Sequence, residues 1–215
     1  GDNISRFYET GTTFTNTLAL TGGNEDLNFR FSASNLDNSD IVPNAGLERN
    51  TFTANIRGKL SDKLSTRITA SYSRQEVQNR PRLSDSPGNA NYTVGSLPPS
   101  INVLDLQGDP NKLGAGEDGR ELQFNDNIFV TNPYWGAHQF YNYDFKDRIL
   151  GSFLLRYDFT DFLFLQLRTG IDAFTRRTQG WTPYGTAYSQ QGGYSEGINR
   201  FYETNNDFLL GFDDT

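Results

Sequence analysis

Few side chains in this sequence could carry out chemistry, and their spacing argues against most of it. There is one histidine, His138, and no cysteine, which excludes thiolate nucleophiles, disulfides and thiolate-held metals. A catalytic histidine needs a nucleophile or carboxylate placed against it. Nothing around His138 identifies one, so it reads as a loop residue beside Trp135. Asp105, Asp109, Glu117 and Asp118 could offer oxygen ligands to Ca²⁺. They lack the spacing of an EF-hand loop and read as a solvated acidic loop. No residue pattern asks for a cofactor, and no enzymatic activity is expected.

Two sets of side chains could bind without reacting. Tyr134, Trp135, Trp181, Tyr184 and Tyr188 lie in or beside the two longest irregular segments. A flat ring with a polar tip can stack on a sugar or peptide; the same residues also suit an interfacial aromatic belt or loop packing. The second set is Arg30, Arg57, Arg67, Arg156 and Arg168, each on the polar side of an alternating run.

Those runs must position both sets. Phe52, Ala54 and Ile56 alternate with Thr51, Thr53, Asn55 and Arg57; Ile68, Ala70 and Tyr72 alternate with Arg67, Thr69, Ser71 and Ser73. A period of two puts apolar side chains on one face of a strand and polar ones on the other. A first hairpin turns over Gly22-Gly23-Asn24-Glu25-Asp26, where glycine supplies the positive φ of a tight turn. A longer polar connection from Leu36 to Gly46 leads to a strand over Leu47–Lys59, a turn at Leu60–Lys63, and a strand over Leu64–Gln75. A segment rich in Gly, Pro, Asn and Asp follows from about Glu76 to Asp147, with a short strand pair expected near Leu122–Val130. Alternation resumes at Arg148, turns over Asp158–Asp161 and continues through Leu163–Ala173. A second polar connection spans Thr178–Asn199, and a run from Phe201 to Phe212 ends the chain without a partner.

Short turns and long connections therefore alternate, which sorts loop length by end of the strands. Outer-membrane barrels are built that way, with the long loops outside. The reading is all-β: an antiparallel up-and-down meander of about seven long strands forming part of a barrel. About seven strands neither close an even-numbered barrel nor protect the last edge, so the rest of the wall is expected elsewhere. Charge facing lipid costs about 2–4 kcal/mol at the midplane, which directs the five arginines into the lumen.

Composition agrees. Hydrophobic residues make up 35% of the 215, yet aromatics reach 14%, and mean hydropathy is −0.65. That suits strands with one apolar and one wet face better than a large dry core. The net charge of −7 excludes nucleic acid as a partner, since phosphates ask for a basic stripe.

Once these elements are placed, an ordered series of segments resembles the SusC/RagA-like branch of the TonB-dependent outer-membrane transporters of Bacteroidetes. The series is Thr10–Asn16, Leu20–Asn24, Asn28–Ser34, Gly46–Phe52, Asn132–Trp135, Tyr157–Leu163 and Arg168–Asp172. The resemblance implies a 22-stranded barrel with a plugged lumen, engagement of TonB through an N-terminal part, and a SusD-like surface lipoprotein over the outer mouth. It also implies active import of oligosaccharides or peptides across the cell outer membrane. Residues 1–215 would then be an early part of the wall, with plug, TonB box and remaining strands outside this sequence, and with 76–147 an external loop. The alternative is a surface-displayed soluble carbohydrate-binding or adhesive β-domain, with a passive porin-like barrel ranking third.

Overall fold

The computed structural model describes residues 2–212. Its frame is one sheet of seven strands: β1 (Thr12–Gly23), β2 (Leu27–Ser39), β3 (Gly46–Ser61), β4 (Leu64–Gln78), β5 (Tyr141–Asp158), β6 (Leu163–Thr182) and β7 (Gly193–Phe212). They lie side by side in chain order, and each neighbouring pair is antiparallel. The sheet is not closed.

Residues paired across an antiparallel ladder share a face, so the register sorts the side chains. One row reads Leu18, Ala33, Phe52, Tyr72, Ile149, Ala173 and Tyr202; the next reads Leu20, Phe31, Ala54, Ala70, Gly151, Ile171 and Thr204. The opposite face carries Asn28, Arg57, Arg67, Leu154, Arg168 and Asp207 in a single row. The period of two holds across all seven strands, with one register shift, between Lys59 and Ser61 beside the β3–β4 turn, where it exchanges no face of the sheet's body. No second sheet covers the apolar face: Leu18, Phe52, Phe153 and Phe208 stand exposed among the described residues.

The apolar rows have a definite height. On β6 they run from Leu163 to Ala173, and above them Asn16, Asn35, Asn50, Arg74, Asp147, Thr175 and Arg200 form a polar row. Leu163 to Ala173 spans about 33 Å at the usual strand rise, which a barrel tilt near 40° projects to about 25 Å, the height of an outer-membrane apolar band. The tight-turn ends also step along the ladder. Leu27 begins the row Gly58, Thr66, Leu155, Leu167 and Phe208, and the turns at 62–63 and 159–162 lie beyond that row. A stagger of this kind accompanies strand tilt in a barrel wall.

The buried core lies above the sheet, in the 79–140 connection. Its neck is closed by Asn79 and Asn142: Asn79 N donates to Asn142 O at 2.7 Å, and Asn142 N donates to Asn79 Oδ1 at 3.0 Å. Inside are α2 (Ala90–Ser96), a 3₁₀ turn (Val103–Leu106) and α3 (Pro133–His138). Each starts at an asparagine whose side chain takes a backbone N–H of the first turn: Asn89, Asn102 and Asn132. Pro133 then occupies the first turn of α3, where its missing N–H costs nothing. Ala90, Val94, Val103, Leu106, Tyr134 and Ala137 pack together with Phe7 of α1 (Asn3–Phe7). Asn3 fixes that contact, donating to Ile101 O at 2.9 Å and accepting from Val103 N at 3.0 Å.

Several boundaries differ from the sequence reading. The strands are longer: Glu76–Gln78 and Gly193–Arg200 pair although their apolar alternation is broken, and β5 starts at Tyr141, where Tyr141, Tyr143 and Phe145 alternate with Asn142, Asp144 and Lys146. The connection expected over Leu36–Gly46 shrinks to residues 40–45, since polar Asp37–Ser39 still pairs along β1. Leu122–Val130 forms no strand pair; Glu121 makes an isolated bridge to Ala115. The last strand pairs with β6 over its full length, leaving only its outer edge open.

Candidate functional site

The long connections share one end of the sheet, opposite the turns at 24–26, 62–63 and 159–162. Burial shows which way they lean. Among the described residues, Val77 and Asp144 are the only buried strand residues, and both belong to the polar face. The 79–140 connection therefore folds over the mouth on the polar side.

Two connections lock together there. Trp135 is fully buried, and its Nε1 donates to Thr186 Oγ1 at 3.0 Å. The ring sits with Ala115 and Phe140 and is flanked by Tyr188. Lys112 Nζ lies 4.9 Å from the ring centre. Glu121 is buried too, and its carboxylate accepts from Asn132 N at 2.8 Å and from Ala187 N at 2.7 Å. Burial raises its pKa, while the two N–H bonds pull the other way. One aromatic and one carboxylate thus tie residues 131–140 to residues 183–192 across the β5–β6 pair.

The aromatic set is divided by the fold. Tyr134 is buried, edge-on to Phe7 with centroids 5.3 Å apart. Tyr188 is half-buried between Phe129 and Phe140. Tyr184 is 60% exposed at a loop tip, with Arg120 5.9 Å from its ring centre. Trp181 belongs to the apolar face, beyond the polar row, with Tyr141 and Tyr194 each 4.9 Å away. In this arrangement no face of the Trp135 ring is open to a ligand, whereas Tyr184 and the Trp181 cluster are accessible. His138 stacks 6.4 Å from Tyr134; burial lowers its pKa and nearby Glu9 raises it. The acidic residues serve the loop itself: Asp109 accepts from Asn111 N and Asp118 from Arg120 N. No three acidic or histidine side chains converge on a metal-sized site among the described residues.

All five sequence-singled arginines lie on the polar face by register. Arg57 is directly opposite Arg67. Arg30 lies between Thr21 and Asn55. Arg168 Nε donates to Asp207 at 2.7 Å, and Arg156 Nε to Asp158 at 2.8 Å. Nearer the mouth, Arg148 Nε donates to Asp172 at 2.9 Å. The polar face carries more basic than acidic side chains, although the chain as a whole is acidic.

A cleft of about 380 Å³ opens on that face under the loop. Its floor is made of small residues on β6 and β7: Thr178, Gly180, Ser195 and Gly197. A Cβ on Gly180 would stand 2.9 Å from Ser195 Oγ, and one on Gly197 2.9 Å from Thr178 Oγ1. Arg80, Pro81 and Arg82 overhang the floor. At one end Arg176 Nε donates to both carboxylate oxygens of Asp144 at 2.9 Å. The sequence reading missed this cleft. The available signal was glycine inside strands, which weakens pairing and marks places where something approaches the backbone closely.

No protein-family model and no curated protein matches the chain. Solved structures do match in fold. One of the RagAB peptide importer in an open-open state superposes at TM-score 0.70 with 16% identity, over 97% of this chain and 22% of the importer chain. A closed-closed state gives 0.69 and 16%, over 97% and 23%. A further structure, of the RagAB peptide transporter, gives 0.74 and 18%, again over 97% and 23%. The chain spans less than a quarter of the proteins it matches. Its fold is an unclosed, seven-stranded antiparallel meander of the kind found as one stretch of these transporter chains.

Proposed function

We propose that this chain is part of the wall of a TonB-dependent outer-membrane importer of the SusC/RagA kind. Residues 1–215 supply seven neighbouring strands of the barrel and the loops at its outer mouth. The rest of the protein supplies the plug, the TonB-engaging segment and the closing strands. A SusD-like lipoprotein would cover the mouth, and the cargo would be oligosaccharides or peptides. Arg30, Arg57, Arg67, Arg156 and Arg168 would face the lumen and bond to the plug, while Tyr184 and Trp181 are the accessible aromatics for ligand or interface contacts. The observation that carries this reading is the uncovered apolar face, with rows spanning about 25 Å of membrane height. A soluble adhesive domain would need a second layer over Phe52, Ile68 and Phe153 to hide them from water.

The test is fractionation and uptake with the intact gene product. The full-length protein is expected in the outer-membrane fraction, with heat-dependent migration in gels, and its deletion is expected to abolish TonB-dependent uptake of labelled peptides or oligosaccharides. Recovery as a water-soluble surface protein, with uptake intact after deletion, would refute the importer.

A further inference from the structure

The cleft beneath Arg80 has a chemical character of its own, and we infer that it is a subsite for carboxylate groups on the imported solute. The inference rests on the importer reading and narrows it to acidic cargo at the mouth.

Three guanidinium residues and two carboxylate residues line the cleft. Glu196 belongs by register to the other face of β7 and accepts from Tyr194 Oη at 3.2 Å, which leaves Asp144 as the carboxylate on the cleft's own face. Arg82 is occupied by the loop: one nitrogen donates to Pro87 O at 2.7 Å and to Tyr188 Oη at 3.2 Å, and its head lies 4.9 Å from the centre of the Phe140 ring. Arg176 is occupied by Asp144: its Nε donates to both carboxylate oxygens and its Nη2 donates to Oδ2 as well. Asp144 is buried, so it requires that partner. Arg80 is left over. Its nearest anion is the same Asp144 at 3.7 Å, beyond hydrogen-bonding distance, and its side chain is 55% exposed. Asp144 cannot neutralise two arginines, so the cleft carries surplus positive charge on the half-exposed head of Arg80.

The floor is shaped to admit a ligand. Gly180 and Gly197 keep the floor low: a Cβ at either would crowd the hydroxyl of Ser195 or Thr178, which form the floor beside them. Glycine in a strand costs stability, and close approach of another group is a recognised reason to keep it. The hydroxyl of Ser195 and the amide of Asn142 add polar edges to the same hollow. A planar guanidinium matches carboxylate and phosphate in geometry, and of the two it is carboxylate that peptide or oligosaccharide cargo carries. It can come from an acidic residue of a peptide or from a uronic acid, and the experiment separates the two.

Binding is measured by calorimetry on the full-length protein with its co-purifying surface lipoprotein. Four probes are used: an aspartate-containing octapeptide, its asparagine counterpart, a galacturonic acid oligomer, and a neutral galactose oligomer. Arg80→Gln is expected to weaken the matching acidic probe about tenfold or more and to leave its neutral counterpart unchanged. Whichever acidic probe responds identifies the source of the carboxylate. Gly197→Val, which fills the floor, is expected to weaken acidic and neutral members of that pair alike. Unchanged acidic affinity in Arg80→Gln, or equal loss for acidic and neutral probes, overturns the subsite but leaves the importer standing. A native complex that binds none of the four while the gene remains required for uptake also overturns only the subsite. If deletion leaves uptake intact, the importer reading fails and the subsite with it.

Discussion

Truncating Trp135 to alanine would separate the loop assembly from the wall beneath it. The ring is completely buried, and removing a fully buried aromatic costs about 3–5 kcal/mol because the cavity collapses only in part. Within that sum, the Nε1 bond to Thr186 accounts for about 1 kcal/mol, and the Lys112 contact for about 0.5–1 kcal/mol. The loss falls on residues 131–140 and 183–192, since those are what the ring joins. The ladder of β5 and β6 does not use it. Hydrogen exchange on the full-length protein in detergent reads this directly, because local opening reports local stability. Loop amides are expected to exchange about a hundredfold faster or more, with the β5–β6 ladder unchanged; 1.36 kcal/mol corresponds to a factor of ten. Trp135→Phe keeps most of the packing and loses the N–H, so its effect should stay near tenfold. Loop protection that survives Trp135→Ala, or strand amides that lose as much as loop amides, would refute the idea that this residue pins the two connections.

Other consequences follow from the same geometry. Phe153→Arg places a charge in the middle of the apolar rows and is expected to cost about 2–4 kcal/mol of folding stability in lipid bilayers; a neutral outcome would mean that the face does not meet lipid. Removing Arg168 and Asp207 singly and together should give a coupling of about 1 kcal/mol or less, because both side chains are more than half exposed; a larger coupling would mean that the rest of the barrel buries the pair. Glu121 has a folded-state pKa raised above its ordinary 4.5, so the folded loops hold its proton more tightly than unfolded ones. Its contribution is present below 4.5 and declines as pH rises through the raised value. Loop protection relative to Glu121→Gln should therefore fall across that window, and a rise would reverse the assignment.

The sheet was legible because its faces are chemically distinct. Phe52, Ala54 and Ile56 against Thr53, Asn55 and Arg57 state the period, and Gly22-Gly23 and Ser61-Asp62 state the turns. What escaped was the pairing above the apolar rows. Gly193–Arg200 projects above the apolar rows with no clean period, whereas Tyr141, Tyr143 and Phe145 do alternate with Asn142, Asp144 and Lys146, a signal the sequence reading passed over inside the long irregular segment. The loop core was equally hidden. Trp135 packs against Ala115 and near Thr186, contacts between residues distant in sequence with no local pattern to announce them. Arg80, Asp144 and Arg176 come from three separate elements and meet only once the register is fixed.

The neck at Asn79 and Asn142 has an evolutionary consequence. A pair of reciprocal hydrogen bonds closes the 79–140 segment at its base, and its apolar cluster is drawn mostly from within the segment. Chain entropy penalises such an insertion only weakly, at about 0.6 kcal/mol per doubling of length. A segment that enters and leaves at adjacent points can be lengthened, replaced or recombined while β4 and β5 keep their register. Sheet and segment can then change at different rates: the sheet is held by the register of seven paired strands, while the segment answers only to its own core and its narrow base.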